Sequence, residues 1–213
     1  MLFARRHQPP RWIFRGQRQH WPLKPTVGRT DSYDPSRELQ LFNEFKRLGG
    51  PMIDRSKVTN EWDWLFVGQH HGLPTRLLDW TTNPLIAAYF ACQASPKGKR
   101  DGEIIAVKIS DVGVYTESEV DQGPFGISET KFVFPSVVAP RIASQRGLFS
   151  VHTQPSKNWI LRDKTERFSI QSDDKSSFLE FLFGLGVDAA MVMADLDGLS
   201  QNLSWRFSAG RPI

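Results

Sequence analysis

The sequence predicts an α+β fold, a mixed and largely antiparallel sheet with helices packed on it. Three observations carry this. Short alternating stretches of strand length interleave with helix-period stretches without a strict βαβ beat. Two cap-plus-proline signals, Asp34-Pro35 and Asn83-Pro84, open helices at defined points. The 213 residues are 39% hydrophobic and include fifteen Phe and seven Trp, enough for one sizeable core. We read residues 1–213 as one domain with its core over about 11–203.

Taken in order, Arg11 to Gly16 alternates loosely through Trp12, Ile13 and Phe14 and reads as a short strand. Trp21 to Ser32 holds Pro22, Pro25 and Gly28 and reads as an irregular connection. Asp34 caps a helix in which Leu41, Phe42, Phe45 and Leu48 recur at helical spacing, and Gly49-Gly50 ends it. A second helix covers Asn60 to His71, with Leu65 and Phe66 inward and Gly72 as the stop. Thr75 to Trp80 is short and extended. Leu85 to Gln93 follows as a very apolar, buried helix. Glu103 to Ile109 is a strand, Asp111 to Thr130 a loop over one face, and Lys131 to Val138, Gly147 to His152 and Glu166 to Gln171 are further strands. Asp173 or Asp174 caps a helix through Leu185. Ala189 to Met193 reads as a short buried strand, and Asp195 starts a final helix or turn.

Composition excludes several classes. The only cysteine, Cys92, rules out an intramolecular disulfide and a multi-cysteine metal site, and its apolar helical setting makes it a buried structural thiol. This usage fits a reducing compartment. No run of about 18 apolar residues is present, so no spanning helix or membrane association is expected. Met1 to Gln8 has Arg5 and Arg6 but no apolar core after them, unlike a signal peptide, so a cytoplasmic location is the expectation. The net charge of +4 permits a polyanionic partner without demanding one. Its clusters, Arg5, Arg6, Arg11, Arg15 and Arg18, and Lys97 to Arg100, read first as solvated surface.

The chemistry concentrates in Gln69-His70-His71-Gly72-Leu73-Pro74-Thr75-Arg76-Leu77-Leu78-Asp79-Trp80-Thr81-Thr82-Asn83-Pro84 and in Phe14-Arg15-Gly16-Gln17. Arg15 ends a strand beside Gly16, where a ligand can approach closely. Its planar donor fork suits phosphate, and pairing to a carboxylate is the equally weighted structural role. His70 and His71 close a helix, where the dipole favours imidazolium. Adjacent residues on a helix diverge, so at most one faces a site, and capping or packing is the first reading. Arg76 and Asp79, three apart on an extended segment, face opposite sides of a strict strand unless a turn intervenes. Asp79 leads into a helix start rich in free N–H groups, suited to an anion or to Asp79 itself, while Thr81, Thr82 and Asn83 also read as plain caps. Pro140 to Phe149 adds Arg141, Gln145 and Arg146 before a strand. Asp195 and Asp197 follow a buried segment, with capping by Asp195 the first reading. No metal-ligand spacing, Walker loop, dinucleotide fingerprint or nucleophile elbow is present, so no metal is expected.

Phe14-Arg15-Gly16-Gln17, the Gln69 to Thr81 motif, and Asn83-Pro84 with Ala87, Tyr89, Phe90 and Ala91 resemble the FRG domain family, which takes its name from the first of these. Arg141, Gln145, Gly147, Phe149 and Asp195 to Leu199 resemble its later positions, so the likeness runs from about Trp12 to Leu203. A weaker likeness is to ADP-ribosyltransferases of the Arg-Ser-Glu branch. It rests on Phe14-Arg15-Gly16 and on Asp79 to Ala91. That likeness implies a split sheet with NAD in the cleft as co-substrate. Arg15 and Arg76 would hold its diphosphate, with Gly16 and Gln17 beside them, and Thr81 or Thr82 would shape the nicotinamide-ribose pocket. Asp79 or Asp195 would be the carboxylate that stabilises the sugar cation, with His70 orienting the ribose. The branch's Glu has no clear counterpart, and Gln145 stands just before the late strand instead.

Three functions follow. The first is an NAD-dependent ADP-ribosyltransferase-like enzyme modifying a protein or nucleic acid. The resemblance implies a bacterial toxin or phage-defence effector, with a possible neutralising partner protein. The second is a non-catalytic nucleotide- or nucleic-acid-binding module, and the third an interaction domain whose motif residues lock a turn.

Overall fold

A computed structural model describes residues 12–54, 56, 58–95, 97–135, 143–161 and 165–212. Among these residues six strands form one sheet: β1 (Trp12–Gln17), β2 (Leu77–Thr81), β3 (Gly102–Lys108), β4 (Lys131–Val133), β5 (Gly147–Val151) and β6 (Thr165–Ile170). Their order is β4-β5-β2-β1-β3-β6, and every pairing between them is antiparallel. Among the described residues seven named helices accompany them: α1 (Pro35–Gly49), α2 (Glu61–His70), α3 (Pro84–Cys92), α4 (Glu117–Val120), α5 (Lys175–Gly184), α6 (Ala189–Met193) and α7 (Leu196–Ser208). The α+β class is therefore as expected.

The sheet is continuous but nearly parted in its middle. β1 pairs with β3 over six residues, whereas β1 and β2 share the single pair Phe14↔Thr81. Continuing that register would set Gly16 opposite Asp79; no such rung forms. The split into two sheets implied by the transferase likeness is not found: the six strands form one sheet, with β1 and β2 joined by one strand pair.

Both faces of the sheet carry core. Ile13, Leu78, Trp80, Ile105, Val107, Phe132 and Leu148 form one cluster with Leu23 and Leu161. Leu77, Val133, Phe149 and Val151 form the other with Phe42 of α1 and Trp62, Leu65 and Phe66 of α2. Phe66 stacks on Phe149 with ring centroids 5.1 Å apart. Alternation along each strand sends successive residues to opposite clusters, as Leu77 and Leu78 show.

Asp34 and Asn83 cap as read and Asn60 caps α2 as well, whereas Asp174 precedes α5 without a side-chain cap bond, so the expected cap there is corrected. Asp34 accepts from Ser36 N at 2.8 Å, Asn60 from Asp63 N at 3.0 Å and Asn83 from Leu85 N at 3.0 Å. Gly72 follows α2 with φ +84°, a conformation that favours glycine. Gly16 has a packing reason. A Cβ there would lie 1.8 Å from the Ala87 carbonyl oxygen, so α3 rests directly on β1.

Some expectations are corrected. Ala189–Met193 is helix α6, not a strand. The run is too short for periodicity to decide; Asp188 caps it by accepting from Met191 N at 2.9 Å, and Ala189 and Val192 face the core at helical spacing. In α1, Phe42 is buried but Leu41 and Leu48 are exposed; the buried neighbour one turn earlier is Glu38. The loop 111–130 holds the short α4. The strand from Lys131 ends at Val133, and Ser136 to Val138 lie outside the described residues. So do Arg5, Arg6, Arg11 and Arg141.

Candidate functional site

A cleft of about 260 Å³ opens where β1 and β2 part. Phe14, Arg15 and Gly16 line it from β1, and Asp79, Trp80 and Thr81 from β2. The end of α2 adds Gln69 and His70, α3 adds Ile86 and Phe90, and the start of β5 adds Gly147, Leu148 and Phe149, with Gln145 before it. The two segments singled out in the sequence therefore share one site.

Arg15 fills the seam. Its Nη1 donates to the Asp79 carbonyl at 2.6 Å and stands 3.9 Å from Asp79 Oδ2. A guanidinium thus occupies the place where the next sheet rung would be. Its Nε donates to Gln17 Oε1 at 3.4 Å. Burial lowers its pKa; Asp79 opposes that shift and Arg29 adds to it. The group stays cationic at neutral pH, since arginine is not deprotonated in proteins.

Asp79 is the carboxylate of the cleft, and its side chain is 60% exposed. Gln69 Nε2 donates to its Oδ2 at 3.0 Å, while Thr75 Oγ1 donates to Gln69 Oε1. This chain fixes the Gln69 amide and, through it, the rotamer of Asp79. His70 lines the cleft with its ring edge-on to His71 at 4.8 Å. Thr81 donates to the Gln145 carbonyl at 2.6 Å and accepts from Asn83 N at 3.0 Å, so it shapes the rim. Gln145 donates to the Val192 carbonyl at 3.1 Å. Its neighbour Arg146 takes φ +45°, outside the usual range for a side-chain-bearing residue.

Other sequence candidates sit elsewhere. Arg76 is 7% exposed and makes a bidentate pair with Glu38, Nε to Oε1 and Nη2 to Oε2, both at 2.8 Å. Its Nη1 donates to the Pro124 carbonyl at 3.3 Å, and its guanidinium lies 4.5 Å from the Phe125 ring centre. It is engaged in the core and does not line the cleft. Asp195 caps α7, accepting from Gly198 N at 2.7 Å. Gln17 is buried and donates to the Trp21 carbonyl and to Glu103 Oε2, supporting Arg15 from behind. Thr82 donates its N–H to the Arg146 carbonyl and is not a lining residue.

Two features escaped the sequence reading. Arg29, on the turn Thr26–Arg29, lies within electrostatic range of both Arg15 and Asp79. Its pKa is lowered by burial, with Asp79 opposing. Arg29 does not line the cleft; its Nε donates to the Lys24 carbonyl at 3.0 Å. The second is His152, 2% exposed, whose pKa is pushed down to about 3 by burial, then by Arg15 and Arg76. Neutral there, it sits 2.9 Å from Ser150 Oγ, which also accepts from Trp80 Nε1 at 2.9 Å. Among the described residues no group of three His, Cys, Asp or Glu could hold a metal ion, and no helix is long and apolar enough to cross a membrane.

With this geometry in place, the relationship to known proteins is specific. The FRG domain family matches residues 10–100, and that stretch of the chain is an FRG domain. It supplies every cleft-lining residue except Gln145, Gly147, Leu148 and Phe149. No curated protein and no solved structure matches the chain.

Proposed function

We propose that the cleft binds NAD and that the protein is an ADP-ribosyltransferase-like enzyme. One observation carries the reading: Arg15 and Asp79, 64 residues apart, converge in a seam where the sheet opens into a cleft with aromatic walls. The guanidinium keeps N–H groups beyond the one given to Asp79, and it suits a diphosphate. Arg29 adds to the positive field. Phe14 and Phe90, both half-buried, line the cleft with aromatic surface suited to nicotinamide. In transfer, the glycosidic bond breaks with its electron pair leaving on nicotinamide. An acceptor nucleophile on a protein or nucleic acid bonds the sugar carbon and loses its proton. Positive charge develops on the sugar, and Asp79, held by Gln69, is the carboxylate placed to stabilise it. His70 is the group suited to orient the ribose or take the proton. A toxin or phage-defence role, with a neutralising partner, rests on the transferase likeness of Phe14-Arg15-Gly16 and Asp79 to Ala91.

A non-catalytic nucleotide-binding module is the second reading. It is favoured by the lining itself, in which Asp79 is the only carboxylate among the described residues and is largely solvated. Nicotinamide release from NAD, measured beside NAD binding, separates the two. Release by the wild type that drops by orders of magnitude in Asp79→Asn, at unchanged NAD affinity and melting temperature, supports catalysis. Binding without release supports the module, and no NAD binding ends the transferase reading.

A further inference from the structure

A second pocket, of about 160 Å³, lies between α3, α5, α6 and α7, away from the cleft residues. Its size is that of a cavity able to take one six-membered ring, by comparison with an engineered cavity of roughly 150 Å³ that binds benzene. Tyr89, Phe183 and Trp205 line it with aromatic surface, and the Phe183 and Trp205 rings are 5.0 Å apart. Its polar members are Asp188, Asn202 and two glutamines; no Lys, Arg or His is among the described lining residues.

Asn202 distinguishes this pocket from an ordinary packing gap. The residue is 7% exposed, and its Oδ1 is buried with no hydrogen-bond partner among the described residues. An unpaired buried acceptor costs about 1–3 kcal/mol, so it calls for a donor. The terminal amide rotates readily about its last torsion, which lets the oxygen be presented to a group in the pocket. Asp188 supplies a negative charge on the same lining while its Oδ1 caps α6. Aromatic faces, a carboxylate and an unpaired acceptor together favour one chemistry, a cation that donates hydrogen bonds.

We infer that this pocket is a binding site for a small primary ammonium carried on an apolar or aromatic body. The ring packs against Trp205 and Phe183, and the ammonium donates to Asn202 Oδ1 and pairs with Asp188. The inference is independent of what the cleft binds.

The test is a titration of the full chain with 2-phenylethylamine, and separately with 3-phenylpropionate, which has a similar ring and reach but the opposite charge. Binding is read by NMR at the Trp205 indole N–H. Asp188→Asn removes the charge but keeps an equivalent helix cap. Asn202→Leu removes the acceptor at similar volume. The expected result is saturable binding of the amine, at least tenfold weaker in each variant, and none of the carboxylate. Equal binding of both probes, affinity unchanged in Asp188→Asn, or no response at Trp205, as when water alone satisfies Asn202, overturns the inference. Should Asn202→Leu not fold, Asp188→Asn decides it alone.

Discussion

Arg76 belongs to the most specific stretch of the sequence, yet its side chain pairs with Glu38 in the core, and removing it should separate stability from ligand binding. Arg76→Met keeps much of the aliphatic volume but leaves Glu38 buried at 3% side-chain exposure without its cation. Tyr33 Oη still donates to Glu38 Oε2 at 2.6 Å, so the carboxylate keeps one neutral donor. Breaking a buried pair by removing one partner costs about 3–5 kcal/mol. The packing of the guanidinium on Phe125 is lost as well. For a chain of this size that corresponds to a fall in melting temperature of about 6–20 °C. Replacing both partners, Glu38→Leu with Arg76→Met, should recover much of the loss, since an apolar pair removes the stranded charge. Urea titrations of the two single variants and the double give the coupling energy, and ligand affinity is measured below the melting transition. A melting temperature within about 2 °C of wild type, together with lost NAD binding, would falsify the structural assignment and return Arg76 to the ligand site.

Three further outcomes are expected. Arg15→Lys should weaken binding of a diphosphate ligand at least tenfold by calorimetry, because lysine lacks the planar fork; Arg15→Ala should also lower stability by about 1–3 kcal/mol, because the Asp79 carbonyl loses its donor. Equal affinity in the lysine variant would remove Arg15 from the anion site. Gly16→Ala should destabilise by about 3 kcal/mol or more in urea, since the added Cβ meets the Ala87 carbonyl at 1.8 Å and α3 must move; an unchanged midpoint would contradict that close contact. His152 stays neutral in the folded protein down to about pH 3, while an unfolded histidine titrates near 6.5. The unfolded chain therefore binds more protons between those values, so stability rises with pH across the window and is lost as pH falls through it. His152→Gln should flatten that dependence, and a slope unchanged in the variant would place its origin in other groups.

Much of the fold was legible because its signals are local. Asp34, Asn83 and Asp195 announce helix starts through short-range hydrogen bonds, and Gly72 ends a helix by its own backbone freedom. The core pairing of Arg76 was not legible because its partner lies 38 residues earlier. A signal existed in α1, where Glu38 shares the inward face with Phe42, and a charge on such a face needs a counterion. Arg29 had no comparable signal. It lies in a proline-rich connection with no period to say which way it points, and only the tertiary fold brings it near Asp79. Ala189–Met193 shows the limit of pattern reading, since five apolar residues fit either element and Asp188 decides. The convergence of Arg15 with Asp79 followed from two separate clusters of polar residues, but the means of convergence, a side chain standing in for a sheet rung, is a property of register that composition does not carry.

That substitution makes the middle of the sheet a latch with two keepers. One is the backbone pair Phe14↔Thr81, and the other is the Arg15 guanidinium on the Asp79 carbonyl. An ordinary sheet spreads its cohesion over many equivalent bonds, so a visitor at one edge leaves the whole undisturbed. Here the β4-β5-β2 and β1-β3-β6 halves share one strand pair and one side-chain bond, and the packing of Ile13 and Ile105 on Leu78, Trp80 and Leu148 supplies the rest of their cohesion. The side chain that lines the cleft is therefore also one that joins the two halves of the sheet, so a change at Arg15 reaches both.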